Sequence, residues 1–241
     1  MALTDNLVAY WKCDESSGDL TDATGNGYTL TNNGTTPFAT GKINNGADFG
    51  AANKTKYFTT SNTLGIDGGA ISYAFWMKPA AAPPSGDDYR LFEQINTAST
   101  KTAYRFIVKD TAGTKSVTFN RLKMNVANED INYTVTLTNG TWYHIAYTYD
   151  GTTMRGYING VEVGNNTGSG SGNNSTGYTA GLHIACDNGS ASQCFDGMMD
   201  EIGVWNRALT GAEITQLDNA GAGLTYPFST TQLLMLMGVG V

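Results

Sequence analysis

The stretch from residue 142 to residue 163 constrains the fold more than any other part of the chain. It reads WYHIAYTY, then Asp150-Gly151, TTMRGYI, Asn159-Gly160 and VEV. Asp-Gly and Asn-Gly pairs supply the positive φ angles that two-residue hairpin turns demand. Two such turns so close together predict three antiparallel strands in a meander.

Short apolar runs with two-residue spacing recur elsewhere in the chain. Ile71, Tyr73, Phe75 and Met77 alternate with residues that are only partly polar, which is typical of an inner strand covered on both faces. The same pattern predicts strands over 89–95, 104–109 and 115–119, with a tight connection over 110–114. Residues 164–177 are rich in Gly, Ser and Asn, and predict a flexible surface loop inside the domain.

One short helix is predicted near the C-terminus. Thr210 and Glu213 have the spacing of a capping box, which opens a helix by satisfying free backbone N–H groups. Ile214 and Leu217 would share its apolar side, and Gly221 would end it.

The composition agrees with an all-β chain and narrows the classes of partner. There are 30 Gly and 13 Tyr among the 241 residues, and only 15% of the residues are charged. The formal net charge is -7, and Lys and Arg form no basic stripe. Nucleic-acid binding is therefore not expected, because it depends on clustered positive charge.

The two ends of the chain carry further expectations. The N-terminus becomes polar within five residues and shows no secretory signal, and no apolar run reaches the ~20 residues of a membrane helix. Residues 229–241 form an uncharged apolar tail. We expect one domain over 1–228, followed by a tail that docks to a virion or to further copies of the chain.

Three cysteines, Cys13, Cys186 and Cys194, are too few for a disulfide framework. A turn-like stretch separates the last two, so a hairpin would bring them together. A disulfide between them and two free thiols on neighbouring strands are both compatible with the sequence.

Five runs carry a family resemblance. In chain order they are LVAYWKCDESSG, DATGNGYTL, ISYAFWMKP, WYHIAYTYDGTTMRGYINGVEVG and FDGMMDEIGVWNRALTGAEI. Together they resemble laminin-G-like domains of the concanavalin A-like superfamily from residue 6 to about residue 220. The resemblance implies an antiparallel two-sheet jelly-roll sandwich whose N-terminal and C-terminal strands meet near one edge.

A calcium site is one hypothesis from this resemblance. Glu15, Asp22 and Asn26 lie in an oxygen-rich stretch, and the resemblance implies that Asp200 returns beside it. Calcium binds six to eight oxygen ligands, so these four residues and backbone carbonyls would hold a structural Ca²⁺ that ties the chain ends together. The alternative is ordinary Asx-turn hydrogen bonding without a metal.

A glycan contact is a second hypothesis. Sugar sites combine an aromatic face with polar side chains that bind hydroxyls, and Tyr89 with Arg90 offers both beside a predicted loop. The four tryptophans follow strand patterns and are expected in the core; they are Trp11, Trp76, Trp142 and Trp205.

No arrangement of residues predicts catalysis. A retaining glucan hydrolase needs two carboxyl groups about 5 Å apart, whereas Asp200 and Glu201 are adjacent and would point to opposite faces of a strand. Asp196 precedes a glycine at a turn, Glu129 and Asp130 are neighbours in an expected loop, and the two histidines, His144 and His183, lie within strand patterns.

The sequence thus predicts a non-catalytic binding or adhesion module for a glycan or cell-surface polysaccharide. Its expected setting is extracellular or on a virion surface, such as that of a bacteriophage. A structural virion decoration or fibre protein without sugar binding is the alternative, and a glucan hydrolase is the least favoured interpretation.

Overall fold

The computed structural model describes residues 1–50, 55–61, 64–65, 69–83, 87–96, 101–111, 114–121, 129–167, 181–186 and 193–228. These residues form two antiparallel sheets, packed face to face around a shared apolar core, and one short helix near the C-terminus. The all-β two-sheet sandwich predicted from the sequence is confirmed. No helix among the described residues is long and apolar enough to cross a membrane.

The first sheet has eight strands. They are β1 (Leu7–Trp11), β3 (Phe38–Thr40), β4 (Asn45–Asp48), β6 (Ile71–Pro79), β11 (Tyr143–Tyr149), β12 (Thr153–Ile158), β13 (Val161–Thr167) and β15 (Gly197–Trp205). Their order is β13-β12-β11-β6-β15-β4-β3, and β1 also pairs with β15. The first and last strands of the described residues therefore meet, as the family resemblance implied.

The second sheet has seven strands. They are β2 (Thr31–Asn33), β5 (Tyr57–Thr59), β7 (Asp88–Asn96), β8 (Lys101–Thr111), β9 (Thr114–Arg121), β10 (Glu129–Thr134) and β14 (Leu182–Ile184). Their order is β10-β9-β8-β7-β14-β5-β2. Glu129 and Asp130, expected in a loop, instead begin β10, where they pair with β9.

The predicted meander is confirmed as β11, β12 and β13, and Gly151 (φ 99°) and Asn159 (φ 50°) adopt the positive φ angles of its turns. The flexible loop predicted over 164–177 is wrong for residues 164–167. Those residues continue β13, because they pair with Thr153–Gly156 of β12. Gly164 also lies so close to Ile131 on β10 that a side chain there would clash. The remainder of that loop, and the tail over 229–241, lie outside the described residues.

Aromatic side chains fill the space between the sheets. The Tyr73 ring stacks on Phe92 of the second sheet with centroids 4.3 Å apart, and on Tyr147 of its own sheet at 5.0 Å. Aromatic pairs at these separations add to the stabilisation that burial of their large apolar area provides. The alternation seen in the sequence of β6 thus places Tyr73 and Phe75 inward.

The helix α1 (Gly211–Asp218) covers the outer face of the first sheet. Thr210 and Glu213 form the predicted capping box, and Ile214 and Leu217 pack with Trp205 in a second apolar cluster. The helix does not run to Gly221 as predicted. It ends at Asp218 because Asn219 takes the left-handed conformation (φ 52°), which an asparagine at this position tolerates.

Three of the four tryptophans are buried as predicted: Trp11, Trp76 and Trp205. The prediction for Trp142 is wrong. It precedes β11 and is only half-buried, with the Lys78 ammonium 5.0 Å from its ring centroid.

Candidate functional site

The outer face of the second sheet carries several polar side chains. On β8, Tyr104, Phe106 and Val108 point into the core, so Arg105 and Lys109 point outward. On β14, Leu182 and Ile184 are in the core, which places His183 on the same outer face. Arg105, Lys109 and His183 therefore occupy outward positions of strands whose inward positions are apolar, although the outward position between the first two is the buried Ile107.

The strand register aligns these outward residues into a continuous row across six strands. Directly paired residues of antiparallel strands project from the same face. We call the following six residues the polar row: Thr59, His183, Glu93, Arg105, Asn120 and Asp130. Neighbouring pairs in the row interact, since the Asn120 amide donates a hydrogen bond to the Asp130 carboxylate.

A group of charged side chains surrounds the middle of the row. Glu93 is only 1% exposed, and its Oε1 lies 3.5 Å from Arg90 Nη1 and 4.0 Å from Arg105 Nη1. Arg90 also lies 3.5 Å from Asp88. These distances are longer than those of typical charge-assisted hydrogen bonds.

Burial and the neighbouring charges affect the guanidinium group of Arg105. Burial lowers the pKa of Arg105, the nearby Arg90 charge lowers it further, and the Glu93 charge acts in the opposite direction. Its Nε is buried and has no hydrogen-bond partner among the described residues. The desolvation of this donor is therefore not compensated by a hydrogen bond within the described part of the chain.

An aromatic platform lies beside the polar row. The rings of Tyr57 and His183, on adjacent strands, have centroids 6.3 Å apart and planes that differ by 5°. Both residues are half-buried, so part of each ring faces outward. Two nearly parallel rings on one sheet face form a surface on which the apolar face of a sugar ring can stack.

A disulfide fixes the chain next to Arg90. Cys186 and Cys194 are bonded, which settles the question that the sequence left open, whereas Cys13 is a free, buried thiol. Next to this disulfide, the Arg90 backbone N–H donates a hydrogen bond to the Gln193 carbonyl at 3.1 Å. The disulfide therefore fixes the backbone at one side of the charged side chains around Glu93.

The two predicted glycan contacts are separated by the sheet. Arg90 lies on the outer face within the charged group. Tyr89 lies in the core, 4% exposed, where its ring packs edge-on against Phe195 and its hydroxyl donates to the Ala82 carbonyl. The geometry thus favours Arg90 as a ligand contact and leaves Tyr89 little surface to offer. Both assignments stay predictions.

Two of the four predicted calcium ligands lie against β1. Asp22 Oδ1 accepts hydrogen bonds from the backbone N–H groups of Tyr10 (3.2 Å) and Thr24 (3.0 Å) and from the Thr24 hydroxyl (2.7 Å). Its Oδ2 accepts from the Tyr28 N–H at 3.2 Å. The Asn26 amide donates to the Val8 carbonyl at 2.9 Å. This is the Asx-turn arrangement weighed as the alternative to a metal.

The other two predicted ligands lie near the turn over residues 41–45. Asp200 Oδ2 accepts from the backbone N–H groups of Lys42 (2.7 Å) and Ile43 (2.9 Å). Glu15 accepts from the Thr21 N–H at 2.8 Å, and its carbonyl binds the Asn45 side chain. Among the described residues, no three His, Cys, Asp or Glu side chains form a group that could hold a metal. Calcium binding stays a prediction.

Asp200 and Glu201 do not follow the simple alternation expected of them. The pairing of β15 with β6 shifts between Asp200 and Gly203, and Glu201 takes φ 50° at this bulge. Both residues are buried, and burial raises the pKa of Asp200 to about 8 and that of Glu201 to about 7. Their carboxyl groups are closed off by the surrounding protein and present no open pair to a substrate.

The sequence did not identify Glu93, Arg105, Asn120, Asp130 or His183 as a site. Each is a polar residue at an outward position of an apolar strand, and that signal was visible at Glu93 and Arg105. What the sequence did not contain is the order of the strands, which places residue 183 between residues 59 and 93.

Solved structures share this fold. The binding domain of Paraclostridial Mosquitocidal Protein 1 is 17% identical and covers 91% of this chain and 53% of its own, with a TM-score of 0.71. Domain 4 of AbnA, an extracellular GH43 arabinanase of Geobacillus stearothermophilus solved in complex with arabinotriose, is 22% identical, with coverages of 87% and 97% and a TM-score of 0.64. The binding domain of Botulinum neurotoxin DC in complex with SialylT is 11% identical, with coverages of 91% and 52% and a TM-score of 0.71.

These likenesses show the fold, and the chain spans about half the length of the two toxin binding domains. No curated protein matches the sequence. The Laminin_G_3 family model, described as Concanavalin A-like lectin/glucanases superfamily, matches residues 49–215, which is more than half of the chain. The chain therefore belongs to the laminin-G-type family of the concanavalin A-like lectin/glucanase superfamily.

Proposed function

We propose that this chain is a non-catalytic carbohydrate-binding module and that the polar row with its aromatic platform is the binding face. The observation that carries the proposal is the combination of two aromatic rings with two arginines on one sheet face. The rings of Tyr57 and His183 would stack on a sugar, and the partly exposed guanidinium groups of Arg90 and Arg105, which flank the buried Glu93, would bind its hydroxyls. The similar structures support it, since the arabinanase domain holds arabinotriose and a neurotoxin binding domain holds SialylT.

Binding to a glycan panel by the purified chain tests the proposal. Arg105→Lys keeps the charge but loses the planar fork of N–H donors, so we expect affinity for the bound glycan to fall about tenfold or more. Tyr57→Ala removes half of the platform and is expected to weaken binding similarly. Isothermal titration calorimetry measures both effects.

Arg155→Lys is the matched control, because Arg155 lies on β12 of the opposite sheet and is exposed by about a third. Its affinity should equal that of the unmodified chain. Binding to no glycan in the panel would contradict the function. Equal losses of affinity in Arg105→Lys and Arg155→Lys would contradict the assignment of the polar row as the binding face.

The proposed setting is extracellular or on a virion surface, including that of a bacteriophage, where the module would hold its parent assembly to polysaccharide. The disulfide between Cys186 and Cys194 supports an oxidising environment, since such bonds are rare in the reducing cytosol. Docking to a virion or to further copies through residues 229–241 belongs to the same proposal.

A structural calcium ion is a separate proposal. The segments that carry Glu15 and Asp200 both contact the 41–45 turn, so an ion between them would join the two ends of the chain. The melting temperature is then expected to be higher with calcium than with a chelator, and Asp200→Asn should remove the difference. An equal melting temperature with and without calcium would contradict this proposal and would leave only Asx-turn hydrogen bonds in the acidic segment.

A further inference from the structure

A cleft of about 430 Å³ opens at the end of the sandwich where β1 begins and β15 ends. Its volume falls in the range of roughly 300–1,000 Å³ that is usual for small-molecule sites. None of the polar-row residues lines it. The described lining consists of Asn6, Leu7, Val8, Asn26, Tyr28, Leu64, Gly65 and Asn206.

Three asparagines, Asn6, Asn26 and Asn206, line this cleft. The Asn206 backbone N–H donates to the Asn6 carbonyl at 3.0 Å, which holds these two residues side by side. Their side-chain amides form no hydrogen bond within the described part of the chain, and both residues are exposed. The third, Asn26, uses one N–H to bind the Val8 carbonyl at 2.9 Å, which fixes its amide and leaves its oxygen to accept.

Tyr28 forms a fixed wall of the cleft. Its backbone N–H binds Asp22 at 3.2 Å, and its carbonyl accepts from the Trp11 indole at 2.7 Å. These two bonds fix the backbone of Tyr28, and its half-buried side chain packs against the core. An aromatic wall with restricted motion loses little entropy when a sugar ring stacks on it.

The charge of the lining limits the class of ligand. No Asp, Glu, Lys, Arg or His is among the described residues that line the cleft. An anionic or cationic ligand would find no partner of opposite charge among these residues. Amides, which both donate and accept, instead match the hydroxyl groups of a neutral sugar.

We propose that this cleft is a second glycan-binding site, which takes one or two neutral sugar units and acts separately from the polar row. The module then has two sites on one rigid domain. A polysaccharide that reaches both would bind with an avidity that neither site provides alone, because the second contact becomes intramolecular. Binding at the cleft goes beyond the proposed binding face and does not depend on it; only the avidity requires both sites.

Titration of the ¹⁵N-labelled chain with neutral trisaccharides, followed by NMR, tests the second site. Arabinotriose, cellotriose and maltotriose are the probes, at millimolar concentrations, and sialyllactose is the charged comparison. We expect saturable shifts of the side-chain amide signals of Asn6 and Asn206 with at least one neutral probe and weaker shifts with sialyllactose. Asn206→Ala should weaken that dissociation constant about fivefold, as the loss of one hydrogen bond predicts.

Two control variants separate the sites. Asn139→Ala removes an exposed amide from the turn before β11, at the opposite end of the sandwich, and should leave the cleft titration unchanged. Arg105→Lys should also leave it unchanged, even where binding at the polar row is lost. The proposal is overturned if no neutral probe shifts the cleft signals, if sialyllactose binds there as tightly, or if Asn139→Ala weakens binding as much as Asn206→Ala.

Discussion

Arg207→Ala is expected to lower the free energy of unfolding by about 3–5 kcal/mol, the usual cost of removing one partner of a buried ion pair. Arg207 binds Glu213 through two hydrogen bonds of 2.7 and 2.9 Å, and both residues are buried. It also donates to the carbonyls of Asp5 at 2.8 Å and Ala2 at 3.0 Å. The variant therefore leaves a buried carboxylate without its counter-charge and releases the N-terminal segment from the helix. Urea unfolding measures the loss.

Arg155→Ala is the matched control for this experiment. Arg155 forms a comparable contact of 3.1 Å with Asp150, but both side chains are more than one-third exposed. Exposed pairs contribute at most about 1 kcal/mol, so this variant should be nearly neutral. Adding Glu213→Gln to Arg207→Ala removes the uncompensated charge and should restore part of the stability. Equal losses in Arg207→Ala and Arg155→Ala would show that the buried pair has no special role.

The ion pair between Arg207 and Glu213 also predicts how the stability of the protein changes in acid. Burial alone would raise the pKa of Glu213, but the hydrogen bonds from Arg207 and Thr210 outweigh it and lower the pKa to about 2. A depressed carboxyl pKa contributes stability above the pKa of the unfolded chain and loses it as the pH falls towards the folded value. The contribution of Arg207 should therefore shrink between about pH 4.5 and pH 2.

Features that depend on neighbours in sequence were predictable. The meander of β11, β12 and β13 follows from two dipeptides, Asp150-Gly151 and Asn159-Gly160, that supply their own turn geometry. The start of α1 follows from Thr210 and Glu213, whose side chains satisfy backbone groups within one turn. Neither feature needs a distant part of the chain, so local chemistry is sufficient.

The binding face was not predictable because it depends on distant neighbours. Glu93 lies between His183 and Arg105, and the register of three strands decides that contact. Alternation in β7 and β8 indicates which residues share a face of one strand. It does not indicate that β14 inserts between β5 and β7. Tyr89 and Arg90 are adjacent in sequence, but the alternation of β7 places their side chains on opposite faces of the sheet.

Asp200 and Glu201 on β15 show a second limit of prediction from the sequence. The argument that adjacent residues of a strand point to opposite faces assumes a regular strand. A bulge at Glu201 breaks that regularity, and no glycine at position 201 signals its positive φ. The bulge brings both acids close to Tyr10, whose pKa is raised by burial first and then by Glu201 and Asp200.

Acid is expected to destabilise the protein through His144, by about 3 kcal/mol between pH 7 and pH 4. His144 is 2% exposed, its ring lies 5.2 Å from that of Trp76, and burial lowers its pKa to about 3. In the unfolded chain the imidazole has a pKa near 6.5. Below that pH the unfolded state gains a proton that the folded state does not, so unfolding becomes more favourable as the pH falls.

The unfolding free energies of the unmodified chain and of His144→Gln, compared at pH 7 and at pH 4, isolate this effect. Gln carries no proton that titrates in this range, so the variant should gain about 3 kcal/mol relative to the unmodified chain on acidification. The buried acids Asp200 and Glu201 also titrate, but they are present in both proteins and cancel in the difference. A difference that stays constant with pH would mean that folded His144 accepts a proton as readily as the unfolded chain does. Its burial against Trp76 argues for the opposite result, because a charged imidazole there would lose its hydration.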